Sequence, residues 1–164
     1  MIFRATEYFR KITDITPDFL KRNHIRCLIL DVDNTLTTHD NPVAATGVME
    51  WISAMRKNKI RLIIVSNNHD PRVRPFAEML GIDFVCEGKK PLSKGFKEAL
   101  QKTGIPKKYT AAVGDQIFTD VLGANLYGIR MLYTAPIEHE KTTFFKVKRF
   151  LEKPFLPEKF KEKE

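Results

Sequence analysis

Cysteine is scarce in this 164-residue chain: Cys27 and Cys86 are the only two, and they lie far apart. That excludes a disulfide framework and makes free thiols in a reducing compartment the expectation. Zinc-site spacing is also missing, because His24, His39, His69 and His139 are scattered and pair with neither cysteine. No run of eighteen apolar residues exists, so no membrane-spanning helix is expected. Residues 1–7 lack the long apolar stretch of a secretion signal. A cytoplasmic protein is the default, with peripheral membrane contact left open. There is no internal repeat and no dividing linker. One domain over residues 1–164 is expected, with a core at about 26–133, a lead-in over 1–25 and a helix and tail over 138–164.

A dominant basic tail is absent too, although the formal charge is +8. Residues 1–26 hold six basic and three acidic groups, residues 27–137 fourteen and eleven, and residues 138–164 eight and six. A surplus spread this evenly suits anionic partners in general, such as phosphorylated metabolites, nucleic acid or acidic lipid surfaces. An ordinary basic protein has the same balance. DNA is not an expected partner.

What is present is a set of apolar strands, each ending in a chemical tool. Cys27 to Leu30 is short, apolar and continuous, as a buried parallel strand is. It ends in Asp31-Val32-Asp33-Asn34-Thr35. Two carboxylates that close repel, so a cation or a shared proton must offset them. Val48, Trp51, Ile52 and Met55 then mark a helix face, with Trp51 in the core. Residues 60–65 form a second strand, followed by Ser66, Asn67 and Asn68. Asp70 as N-cap and Pro71 open a helix that stops at Gly81. Residues 82–86 are a short strand, after which come Lys89 and Lys90. A helix runs from 91 or 92 to 103, and residues 110–113 form a strand ending at Gly114-Asp115, with Asp120 five positions on. A helix over about 117–127 and a strand over 129–133 complete the alternation. Thr16 caps a short helix from Pro17, Phe144, Val147 and Leu151 lie at helical spacing, and beyond Pro154 the tail reads as frayed.

Alternation of this kind predicts an α/β fold: a three-layer, doubly wound parallel sheet with helices on both faces. All the strand ends then share one edge, where such sheets bind ligands. Three or four carboxylates there make a hard oxygen site for Mg²⁺. A lysine and the metal neutralise phosphate oxygens, an aspartate attacks phosphorus, and a second carboxylate moves the proton. The set suits phosphoryl transfer.

In these motifs the chain resembles the haloacid dehalogenase-like (HAD) phosphohydrolases over about residues 26–133. The family's D-x-D-x-T stands as Asp31 to Thr35, and its strand-closing hydroxyl as Ser66. Its lysine stands as Lys90 before Pro91, with Lys89 the less suited candidate, and its G-D-x-x-x-x-D as Gly114 to Asp120. The resemblance implies that Asp31 is nucleophile and Mg²⁺ ligand. It implies that Asp33 is general acid/base and lends its backbone carbonyl to the metal. Ser66 and Lys90, with Asn67 beside them, hold the phosphoryl group. Asp115 is a metal ligand, and Asp120 a ligand directly or through water. The finer resemblance is to the YqeG-type branch, subfamily IIIA, which is similar to phosphatidylglycerophosphate phosphatases of mitochondria and chloroplasts.

Neither the stretch between Thr35 and Ser66 nor that between Ser66 and Lys90 can hold a cap domain. An open site is expected, with residues 36–42 as a small flap. It would admit a phosphate monoester on a large or membrane-borne molecule, such as a phospholipid head group. Phe3, Tyr8, Phe9 and Ile12 beside basic residues either dock on a bilayer or cover the sheet. Phe144, Phe145, Phe150, Phe155 and Phe160 with their lysines pose the same choice, with RNA stacking as a third reading. The competing functions are a phosphatase of soluble sugar or nucleotide phosphates, and an RNA- or protein-binding module with a relic site. The oligomeric state stays open, a dimer included.

Overall fold

The computed structural model describes residues 1–161. Its elements are β1 (Glu7–Phe9), α1 (Pro17–Arg22), β2 (Cys27–Leu30), α2 (Val48–Lys57), β3 (Arg61–Val65) and α3 (Asp70–Leu80). After these come β4 (Asp83–Val85), α4 (Lys94–Thr103), β5 (Thr110–Gly114), α5 (Leu122–Tyr127), β6 (Arg130–Thr134) and α6 (Thr143–Glu152). The six strands form one parallel sheet in the order β1-β6-β5-β2-β3-β4. This is the expected doubly wound α/β architecture.

Burial follows the pattern of the sequence. Leu28, Leu30, Ile64 and Val113 point into one layer, with Ile52, Met55 and Phe76. Cys27, Ile29, Ile63 and Val65 point into the other, with Phe96, Val121 and Met131. The central strands are apolar on both faces because helices cover both. Trp51 is buried and donates its indole N–H to the Ile15 carbonyl at 2.8 Å. Both cysteines are free thiols. Among the described residues no helix is long and apolar enough to cross a membrane.

Several sequence expectations need correction. β1 was not foreseen: three residues at the sheet edge pair with β6. The N-cap of α3 is His69, and Asp70 is already helical, where it pairs with Arg74 at 2.8 Å. Residues 91–93 precede α4 instead of opening it. The helix expected over 117–127 begins as one π-helical turn, Ile117–Val121, before α5. The tail beyond Pro154 is not frayed as far as Phe160. It forms two 3-10 turns, and Phe160 is buried against Tyr8 and Tyr133. Residues 162–164 of that tail lie outside the described residues.

The N-terminal aromatics cover the sheet. Phe3 packs on Phe118 and Phe155, Phe9 packs edge-on against Phe19, and Ile12 is buried. These rings are spent on packing, as is Phe155.

Candidate active site

The carboxyl ends of β2, β3 and β5 meet at the middle of the sheet, and the loop after β4 closes in from the side. Asp31 follows β2 and donates its backbone N–H to the Val113 carbonyl at 2.9 Å, which locks it to β5. Asp115 follows β5 and is fully buried. Asp120 lies in the π turn, whose extra residue per turn brings its carboxylate back over Gly114. A Cβ at Gly114 would stand 2.4 Å from the Asp120 carboxyl carbon, so only glycine permits this approach. Gln116 N–H donates to Asp120 Oδ2 at 3.1 Å. Asp31, Asp115 and Asp120 each offer an oxygen within 4.8 Å of the others.

Lys90 enters this cluster from the loop after β4. Its Nζ donates to Asp31 Oδ1 and to Asp120 Oδ1, both at 2.6 Å. Lys89, its neighbour, is exposed. Asn67 clamps the Lys90 backbone from both sides: its Oδ1 accepts from Lys90 N at 2.7 Å and its Nδ2 donates to Lys90 O at 3.0 Å. Asn67 thus holds the lysine with both ends of its amide, a placement the expected substrate contact did not foresee. Ser66 is buried, and its hydroxyl accepts from Asn68 N–H at 3.1 Å.

Asp33 lies apart from the triad, toward the flap. Its Oδ2 accepts from Asn68 Nδ2 at 2.8 Å, and its Oδ1 accepts from Arg72 Nη2 at 3.0 Å and Asp40 N–H at 3.2 Å. Arg72, on α3, was not foreseen. Its role here is to aim the Asp33 side chain.

A second ion network comes from the C-terminal helix. Arg149 of α6 pairs with Asp115 Oδ2, and also donates to the Asp115 carbonyl at 2.7 Å. It reaches Glu140 Oε1 at 2.7 Å and Glu152 Oε2 at 3.1 Å. Glu140 accepts from Asn34 Nδ2 at 3.3 Å and meets His39 Nε2 at 2.9 Å. Glu152 accepts from Phe118 N–H at 3.1 Å. Asn34 therefore ties the D-x-D-x-T loop to the segment leading into α6. No spacing rule links Arg149 to Asp115, 34 positions away. The nearest signal was the apolar period that predicted a helix there.

Charge in this region is unbalanced. Five carboxylates (Asp31, Asp115, Asp120, Glu140 and Glu152) crowd around two cations (Lys90 and Arg149). Burial pushes the Asp31 carboxyl up to about 8, against the pull of Lys90 and with the help of Asp120 and Asp115. Asp115 is raised by burial against the pull of Arg149, with Asp120 adding to the rise. Burial works against the Lys90 ammonium, but Asp120 and Asp31 outweigh it and hold it charged. Excess negative charge out of water is costly, and a divalent cation among the three aspartates offsets it. The donor set is all oxygen, which suits a hard cation.

A cleft of about 210 Å³ opens above the cluster. Asp31, Asp33, Asn68 and Lys90 line it on the sheet side, and Phe145 and Lys148 of α6 form the opposite wall. Among the described residues no capping domain covers it.

The family model for haloacid dehalogenase-like hydrolases matches residues 43–128. A probable phosphatase of Bacillus subtilis (strain 168), YqeG, is 35% identical over 154 residues, 94% of this chain and 90% of that one. The chain belongs to the haloacid dehalogenase-like hydrolases. Its fold agrees. The 4-nitrophenylphosphatase of Thermotoga maritima superposes with a TM-score of 0.60 at 14% identity, over 75% of this chain and 90% of that one. The cobalt-bound deoxy-D-mannose-octulosonate 8-phosphate phosphatase of Haemophilus influenzae gives 0.58 at 19% identity, over 78% and 77%. The matched segment includes Asp115 and Asp120 of the carboxylate cluster and begins downstream of Asp31.

Proposed function

We propose that this haloacid dehalogenase-like hydrolase is a Mg²⁺-dependent phosphomonoesterase that works through an aspartyl-phosphate on Asp31, with phosphatidylglycerophosphate as substrate. The observation that carries the chemistry is Lys90 Nζ, 2.6 Å from both Asp31 and Asp120, inside a cluster of three carboxylates. Mg²⁺ held by Asp31, Asp115, Asp120 and the Asp33 carbonyl would supply positive charge to the phosphate oxygens.

The chain's own residues do the rest. Lys90 takes a phosphate oxygen and keeps one Asp31 oxygen occupied, leaving the other to attack phosphorus. The P–O ester bond breaks as the Asp31 O–P bond forms. Asp33, as the acid, passes its proton to the departing alcohol oxygen. Asp33 as carboxylate then takes a proton from water, whose oxygen attacks phosphorus. The Asp31–phosphorus bond breaks, freeing inorganic phosphate. Arg72 and Asn68 keep Asp33 at the mouth of the cleft for both transfers.

A lipid head group is favoured by the open cleft and by the resemblance to phosphatidylglycerophosphate phosphatases. The B. subtilis relative's name as a probable phosphatase supports the reaction class. The test is phosphate release from phosphatidylglycerophosphate in mixed micelles against a panel of sugar and nucleotide phosphates. EDTA should abolish turnover and Mg²⁺ restore it. Equal or better turnover of a sugar phosphate would replace the lipid by a soluble substrate, in line with the activity in the H. influenzae structure's name.

A further inference from the structure

Helix α6 has two working faces. Arg149 and Glu152 face inward to the metal half of the site, and Phe145 and Lys148 wall the cleft. The outward face is apolar. Phe144 is 73% exposed, Val147 53%, Phe150 68% and Leu151 53%. Positions 144, 147 and 151 share one helix face, and 150 lies a turn beyond 147, so the four form a continuous stripe. Phe144 and Phe150 are the only large-exposure phenylalanines among the described residues. The other aromatics of the two chain ends are packed, so the stripe is not part of a general aromatic surface.

The charge around the stripe identifies what it fits. From Lys141 to Leu151 every exposed side chain is apolar, lysine or threonine. The helix's one acid, Glu152, is buried beneath Arg149. Beside the helix, Glu138 pairs with Lys141 at 3.6 Å and leaves Lys146 as the cation on the helix's exposed side. A contiguous apolar face with lysines at its border is the make-up of a helix that lies in the plane of an anionic membrane surface. A second copy of the chain fits poorly. A self-complementary contact here would bring Lys146 of two copies together, while Lys141 already has its acid, Glu138, at 3.6 Å on its own chain.

We propose that the outward face of α6 docks on an anionic lipid bilayer and so presents membrane-borne phosphate esters to the cleft walled by Phe145 and Lys148. Delivery of substrate rests on the lipid reading above, while docking itself stands on the helix. Apolar side chains enter the head-group region, and Lys146 meets the anionic lipids.

The test uses the full chain with phosphatidylcholine vesicles, with and without 30% phosphatidylglycerol, in a cosedimentation assay. Binding is expected only to the anionic vesicles and should weaken with salt. The double variant Phe150→Gln, Leu151→Gln should partition at least tenfold more weakly, while hydrolysis of 4-nitrophenyl phosphate stays at the wild-type rate and reports an intact fold. Vesicle binding that is absent, indifferent to lipid charge or unchanged in the double variant overturns the proposal. So does self-association lost in that variant without vesicle binding. Micellar turnover of phosphatidylglycerophosphate without vesicle binding sinks docking alone. Vesicle binding without such turnover sinks the substrate reading alone.

Discussion

Two cation–carboxylate networks share this site, and they differ in origin. Lys90 with Asp31 and Asp120 is built from strand ends of the central sheet. Arg149 with Asp115, Glu140 and Glu152 is built from an arm that leaves the sheet after β6 and folds back. The first is compact, and its Asp31 and Lys90 line the cleft. The second stands behind Asp115 and reaches the flap through His39 and the D-x-D-x-T loop through Asn34. The contrast teaches that chemistry and support come from different layers of the chain. The groups proposed to meet substrate sit at the rigid strand edge. The group that orients Asp115 can come from any element whose packing brings a guanidinium there.

The sharpest way to break the comparison is at the nucleophile. Asp31→Asn should lower turnover of 4-nitrophenyl phosphate by on the order of 10³-fold or more, because covalent attack is lost. Activity near wild type would remove Asp31 from the mechanism.

Lys90→Met should come next. It removes the cation between two carboxylates, and breaking such a buried pair costs about 3–5 kcal/mol. Both turnover and the denaturant midpoint should fall, the latter read by urea unfolding. An unchanged midpoint would mean that the cluster is not held together by this ammonium.

Arg149→Met should weaken Mg²⁺ binding roughly 10–100-fold, as loss of a partner behind a metal ligand does. Calorimetric titration of the metal reads this directly, and raised Mg²⁺ should recover part of the turnover. If metal affinity is untouched, the second network is only structural.

The smallest effect concerns pH. The Asp31 carboxyl is raised to about 8 in the folded, metal-free protein, above its unfolded value. The folded state then holds a proton that the unfolded state has released. Stability from this group is present below about pH 4 and is lost as pH rises toward 8. Thermal melts of EDTA-treated protein should therefore decline across that window, and Asp31→Asn should flatten the decline. An equally steep decline in that variant would place the titrating group elsewhere.

Legibility in the sequence follows the same division. Asp31, Ser66 and Asp115 could be read because each directly follows an apolar strand, and parallel strands share an edge, while Lys90 and Asp120 follow a few positions beyond β4 and β5. Lys90 was favoured over Lys89 by Pro91, and Lys90 is the buried one of the pair. Asn67 lines the cleft as expected for that loop, and its bonds to the Lys90 backbone were not legible, since an amide's partners are set by the backbone it meets. Arg149, Glu140 and Arg72 were not legible. Each acts across tens of residues, and a surface helix and a site-facing helix show the same apolar period. The N-terminal aromatics had two open readings, and the edge strand β1 decided for packing by bringing Tyr8 against Tyr133.

Alternating apolar runs, turn residues and four spaced polar motifs were enough by themselves to determine a parallel sheet and the chemistry along its edge. Their signal is local: hydrophobic period and strand termini need no partner to be recognised. Only the tertiary structure decided that α6 folds back over that edge, with Arg149 inward and Phe144, Phe150 and Leu151 outward. The rotation of a helix about its axis depends on the surface it packs against, and that surface exists only after the sheet has formed.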